Sequence, residues 1–191
     1  MKTVGIVLAA GESRRMGSPQ ALLRCTDGVP LAARQADILR AGGCASVAVV
    51  LGSEIERIRG ELPPELATAE NPRWAQGRAG SLQVGIAAFP GADGYLFLPV
   101  DAVGVKTATV QATLAAAAGE PAAIWRPTYR GDKGHLLWVP RPAAAELSRL
   151  PVDARIDEWV RPRARTLAVD DPAILRNVNT PAEWAALARG P

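Results

Sequence analysis

Apolar residues in this chain fall mostly into short, unbroken runs. Residues 3–8 (TVGIVL), 46–51 (SVAVVL) and 94–100 (GYLFLPV) are such runs, the first two rich in β-branched residues. Uninterrupted runs of this length predict strands buried on both faces. Between them the spacing becomes helical. Residues 30–40 (PLAARQADILR) predict a helix with proline near its start and Gly42-Gly43 after it. Ser53, Glu54, Ile55 and Glu56 form a capping-box pattern, which opens a short helix fading near Gly60. Further helices are predicted over 81–88, starting just past Gly80, and over 107–118, 142–150 and 181–188, the last with Pro181 in its first turn. Short strands are predicted over 66–69, 122–126, 135–139, 166–169 and 175–178, with a turn through Arg130-Gly131-Asp132-Lys133-Gly134.

Strands alternating with helices imply an α/β fold, with a mostly parallel sheet and helices on both faces. A length of 191 residues suits a single domain over 1–191. Ligands of such sheets sit outside the carboxyl ends of the strands. That rule directs attention to the segments after Leu8, Leu51 and Val100, and to residues 177–180.

The net charge of +3 comes mostly from arginine, since Lys2, Lys106 and Lys133 are the only lysines. The basic residues are dispersed, without the clustering or aromatic interleaving of a nucleic-acid binder, so an anionic small molecule accounts for the balance as well. Cys25 and Cys44 have no metal-binding spacing and suggest no disulfide framework. His135 is the only histidine, which excludes a histidine-rich metal site. The apolar run at residues 4–10 is too short for a signal-peptide core, and none reaches the roughly 20 residues of a membrane helix. The expectation is a cytoplasmic protein with no membrane partner.

The loop after the first run, Ala9-Ala10-Gly11-Glu12-Ser13-Arg14-Arg15-Met16-Gly17, lacks the lysine of a P-loop and the glycine spacing of a dinucleotide fingerprint. Its small residues permit close backbone approach, its N–H groups can form an anion nest, and Arg14 and Arg15 can grip phosphate. A solvated loop with two surface arginines is the plain alternative. Asp101 ends the run at 94–100, where a carboxylate can hold a divalent cation carried by a nucleotide, or merely start a turn. Ser81 after Gly80 either bonds a nucleobase or caps its helix. Asn177 and Asn179 lie beside Thr180, a plausible N-cap; one of their oxygens can join Asp101 at a metal. His135 is either a substrate contact or a histidine with a backbone partner.

Together these segments resemble the MobA-like nucleotidyltransferases, closest to the molybdenum cofactor cytidylyltransferases. Residues 8–23 (LAAGESRRMGSPQALL) follow the family pattern Leu-Ala-Ala-Gly-x-Ser-x-Arg-Met-Gly-x-x-Lys-x-Leu-Leu at nearly every position. Asn71-Pro72 with Gly80-Ser81-Leu82, residues 98–101, Tyr129-Arg130-Gly131 with Gly134-His135, and residues 177–184 (NVNTPAEW) resemble later blocks, in order. The resemblance implies a three-layer, Rossmann-like nucleotidyltransferase fold. It also implies transfer of a nucleoside monophosphate from an NTP to an anionic phosphorylated acceptor, with molybdopterin cofactor foremost, and release of pyrophosphate. Mg²⁺ would be the cofactor, held by Asp101 and Asn179. Arg15, the residue at position 20 and Asp101 would be catalytic. Leu8, Ala9, Ala10, Gly11, Ser13, Arg14, Gly80 and Ser81 would bind the nucleotide, and His135 the acceptor. Ala10, where guanylyl relatives carry glycine, favours CTP over GTP, although the Asn-x-Asn-Thr-Pro ending is familiar from guanylyl relatives.

One position departs from the pattern. Gln20 stands where the family lysine meets the α-phosphate. Losing one such contact typically costs about 10²–10³ in rate, unless Arg14, Arg15, Arg24 or Lys133 substitutes. Two alternatives therefore accompany the main reading. One is a nucleotide- or cofactor-binding protein without turnover that serves a molybdoenzyme. The other is a transferase for a sugar or polyol phosphate.

Overall fold

The computed structural model describes residues 1–188. Eight strands form one mixed sheet: β1 (Thr3–Ala9), β2 (Ser46–Leu51), β3 (Ala67–Glu70), β4 (Gly94–Pro99), β5 (Ile124–Tyr129), β6 (Asp132–Lys133), β7 (Leu137–Pro140) and β8 (Ala164–Ala168). The helices are α1 (Leu31–Ala41), α2 (Ile55–Glu61), α3 (Arg78–Ala88), α4 (Thr107–Gly119), α5 (Arg141–Leu147), α6 (Ile156–Val160) and α7 (Pro181–Ala188). The strand order is β3-β2-β1-β4-β7-β5-β6, with β8 on β5. β3, β2, β1 and β4 are parallel, as is the β5–β8 pair, while β7 runs antiparallel to both β4 and β5.

Alternate residues of each central strand enter opposite cores. Val7, Val49, Leu51, Leu96 and Leu98 pack with Leu31, Ala36 and Leu39 of α1 and Val110 of α4. Val4, Ile6, Leu8, Val50, Tyr95 and Phe97 pack with Leu82 and Ile86 of α3, Leu147 of α5, and Ile156 and Val160 of α6. These two cores explain why the strands read as continuous apolar runs: both faces are covered. The architecture is therefore the three-layer α/β, Rossmann-like fold expected. Burial pushes the Cys44 thiol up to about 12, so it packs as an apolar group.

Several boundaries differ from the pattern-based expectation. The capping box at residues 53–56 does not form: Glu54 is left-handed (φ 50°), without a side-chain cap bond, and α2 runs through Gly60. Residues 175–178 form no strand; a 3₁₀ turn (Pro172–Leu175) is followed by irregular chain whose Val178 N–H donates to the Asp101 carbonyl. α3 begins at Arg78 rather than after Gly80, because the glycine that turns the chain into the helix is Gly77, at φ 143°. Helix α6 has no signature in the sequence pattern; at five residues it is too short to show periodicity.

Candidate active site

The parallel strands end along one edge, and a cavity of about 1160 Å³ opens there. It is lined by Leu8 through Arg14 of the β1 loop, by Gln20, by Trp74, Arg78 and Ser81, and by Asp101. Arg126, Lys133, His135, Arg155, Asp157, Arg161 and Asn177 line it further. The predicted loop and the predicted carboxylate thus share one cavity.

The β1 loop is a compact turn. Ser13 takes a left-handed conformation (φ 54°), and its carbonyl accepts from the N–H groups of Met16 and Gly17. Its Oγ donates to Gln20 Oε1 and accepts from the Gln20 N–H (3.2 and 3.1 Å). The backbone N–H groups of Gly11, Glu12 and Arg14 have no acceptor among the described residues. They leave donors for an anion. Gly52, at the end of β2, makes room for this wall: a Cβ there would lie 2.5 Å from Trp74 Cβ and 2.6 Å from the Ala10 oxygen. No local pattern marks Gly52 for this role, since glycine after a strand signals only a turn.

Gln20 is a clamp. Its Nε2 donates to the Val178 carbonyl at 2.6 Å, and Val178 N–H donates to the Asp101 carbonyl at 3.0 Å. One amide therefore joins the β1 loop to the segment that supports Asp101. Of the cations named as substitutes for a lysine here, Lys133 and Arg14 line the cavity, with Arg14 paired to exposed Glu12. Arg24 is turned away and paired with Glu61. Arg15 lies outside the lining, although its charge favours the ionised forms of Asp101 and Glu183. Arg78 and Arg126, which no sequence motif marks, face the cavity and share Asp157 (3.9 and 3.1 Å).

Besides Arg15, expected as catalytic, two more of the expected positions lie outside the cavity lining. Gly80 does not reach the cavity; it is a packing glycine, whose Cβ would lie 2.7 Å from Val152 Cγ2. Asn179 is likewise outside the lining. Thr180 Oγ1 accepts from the Glu183 N–H, while Glu183 Oε2 accepts from the N–H groups of Asn179 and Thr180. That capping box fixes Asn179, whose Nδ2 donates to the Asn177 carbonyl, and leaves Asn177 on the cavity. Ser81 lies one turn inside α3 and caps nothing. Its Oγ accepts from Asn71 Nδ2 at 3.0 Å, so its own proton can be donated into the cavity.

His135 reaches the site through a bulge. From the Thr128–Lys133 pair to the Trp125–Trp138 pair, β5 advances three residues and its partner five. Gly134 N–H still donates to the Pro127 carbonyl of β5, and the chain then leaves the ladder at His135, whose N–H donates to the Ile174 carbonyl, while Arg126 Nε donates to the Gly134 carbonyl. Burial is the main influence on both titratable partners. It raises the Asp101 carboxyl above its ordinary 3.8, opposed by His135, Arg78 and Arg15. It lowers His135 below its ordinary 6.5, opposed by Asp101 and assisted by Arg78 and Arg126. A histidine whose folded pKa is lowered contributes stability that is present above its unfolded value and lost as pH falls below it. In an Asp101→Asn background, so that only one of the pair titrates, His135→Asn is expected to flatten the loss of stability between about pH 7 and pH 5. Urea unfolding at both pH values checks this; an unchanged slope would show that His135 titrates as if exposed.

The sequence pattern of the MobA-like NTP transferase domain matches residues 5–168. This chain belongs to that family. Rv0371c from Mycobacterium tuberculosis H37Rv superposes with a TM-score of 0.84 at 28% identity, covering 99% of this chain and 98% of that one. A complex of Rv0371c with manganese superposes at 0.77 with 25% identity over all of both chains. A probable molybdenum cofactor guanylyltransferase from Rhodopirellula baltica is 36% identical over 100 residues, 51% of this chain and 47% of that protein. The match thus spans about half the length of that curated relative. The MobA-like domain is an NTP transferase, an enzyme that transfers a nucleotide from an NTP. Among the described residues no helix is long and apolar enough to cross a membrane.

Proposed function

We propose that this MobA-like enzyme transfers a nucleoside monophosphate, CMP before GMP, to a phosphorylated acceptor of the molybdopterin type. The observation that carries this reading is the shared cavity of the β1 loop and Asp101. An acceptor phosphate oxygen bonds to the α-phosphorus, the bond to the bridging oxygen breaks, and pyrophosphate leaves. An acceptor phosphate is already ionised near neutral pH, so no general base is needed. The N–H groups of Gly11, Glu12 and Arg14 hold the phosphates, with Arg14 and Arg15 adding charge. Ser81 and Ala10 meet the base. Lys133, Arg155, Arg161 and His135 also line the cavity, where they suit an anionic acceptor.

A divalent cation fits this donor set as a companion of the nucleotide. No group of three or more His, Cys, Asp or Glu residues able to hold a metal exists among the described residues. Mg²⁺ and Mn²⁺ are commonly held by one or two carboxylates plus substrate phosphates, and Asp101, with Asn177 beside it, can supply the protein share. Such an ion would neutralise charge on the phosphates. The manganese complex of Rv0371c supports a divalent metal without choosing between the two.

The base preference rests on Ala10, which is buried on the cavity wall. The name of the Rhodopirellula relative supports GTP instead. Ala10→Gly is expected to shift the kcat/KM ratio of GTP to CTP upward by about tenfold, the usual worth of one methyl in a pocket. Pyrophosphate release with each nucleotide, Mg²⁺ and the molybdopterin acceptor tests both points. Release with GTP alone from the unaltered enzyme would replace the cytidylyl reading by the guanylyl one; release with neither would reject turnover on this acceptor.

A further inference from the structure

Gln35 lies on the buried side of α1, fully enclosed, among residues that serve only the core. Its Nε2 donates to two carbonyls, those of Val100 (3.2 Å) and Ala102 (2.9 Å). These are the residues on either side of Asp101. Its Oε1 is buried with no partner among the described residues. The orientation is forced, because two carbonyl acceptors can be met only by an NH₂ group. Leaving a buried acceptor unmet is costly, and a hydrocarbon of the same size would avoid that cost. What such a residue would lose is the pair of donors straddling Asp101.

We infer that Gln35 is a positioning residue, which fixes from beneath the turn that aims the Asp101 carboxylate at the nucleotide's metal ion. Four backbone bonds shape the same turn: Val100 N–H to Leu8 O, Ala102 N–H to Pro99 O, Val103 N–H to Asp101 O, and Val178 N–H to Asp101 O. All four fix the chain from the strand or the site side. Among the described residues Gln35 alone reaches it from the core helix, and its two bonds set the tilt of the peptide planes on which Asp101 hangs. Groups that orient a metal's carboxylate ligand typically change metal affinity by about 10- to 100-fold when removed.

The inference rests on the proposed role of Asp101, and the test separates the two. The affinity of CTP and of GTP is measured by calorimetry with and without Mn²⁺, and the tighter-binding nucleotide gives the enhancement due to metal. Asp101→Asn is expected to abolish that enhancement. Gln35→Met is expected to reduce it by about tenfold while leaving metal-free affinity unchanged. In the double variant Gln35→Met is expected to have no further effect on it, the signature of action through Asp101. Thr113→Val, which removes another fully buried bond (Thr113 Oγ1 to Thr109 O, 2.7 Å), controls for general destabilisation and should leave the enhancement intact. Gln35→Asn, which keeps the amide but not its reach, provides a second variant. An intact enhancement in Gln35→Met or Gln35→Asn, with Asp101→Asn defective, would overturn the inference alone. So would failure of both Gln35 variants to fold, which would make it a core residue. An unaffected Asp101→Asn would overturn both the metal role and the inference.

Discussion

Asp101→Asn is expected to slow nucleotidyl transfer by about 10³-fold and to leave the fold intact. The rate effect follows from charge: a cation that neutralises a transferring phosphoryl group is worth several kcal/mol. The same change should hold or raise the melting temperature. Burial pushes the Asp101 carboxyl up, so the ionised side chain is a burden to the folded state at neutral pH, and asparagine removes it. A variant that is slower but no less stable is the signature of a residue kept for function at some cost in stability. Pyrophosphate release and thermal melting measure the two effects; a rate within a few-fold of the unaltered enzyme would end the metal role for Asp101.

Gln20→Lys is expected to accelerate transfer by about 10²-fold. Both groups that Gln20 now meets, the Val178 carbonyl and Ser13 Oγ, can accept from an ammonium, so the clamp between the β1 loop and the Asp101 segment survives. The change then adds the one cation that this chain lacks relative to its family pattern. Gln20→Met separates clamp from charge: it keeps length, offers no donor, and should be slower than the unaltered enzyme. If Gln20→Lys is no faster, a cation already on the cavity, Arg78 or Lys133, performs the task. Steady-state rates at saturating nucleotide decide between these outcomes.

Much of this molecule was legible before its structure. Unbroken runs such as SVAVVL announced strands covered on both sides, and the carboxyl-end rule pointed to the β1 loop, Asp101 and the segment beyond residue 176. The misreadings share a cause. At Gly77 and Gly80 two glycines competed to start one helix, and only the backbone conformation shows that Gly77 makes the turn while Gly80 fits under Val152. At residues 53–56 the capping pattern was present, but a left-handed Glu54 forms no cap, whereas the equivalent pattern at Thr180 and Glu183 does. Of the two asparagines near the end, that second cap decides which one faces the cavity.

The sequence by itself determined the layered fold, the loop that can cradle phosphate and the acid at the end of the central run, because period, β-branching and glycine spacing are local properties. The tertiary structure decided the rest. It brought Arg78, Arg126 and Asp157 to one wall, turned Arg24 away, made Gln20 a tie between distant segments and placed Gln35 beneath Asp101. Those arrangements depend on which strand lies beside which and on where a bulge falls. No window of neighbouring residues contains that information, since the groups that meet are separated by as many as 158 positions.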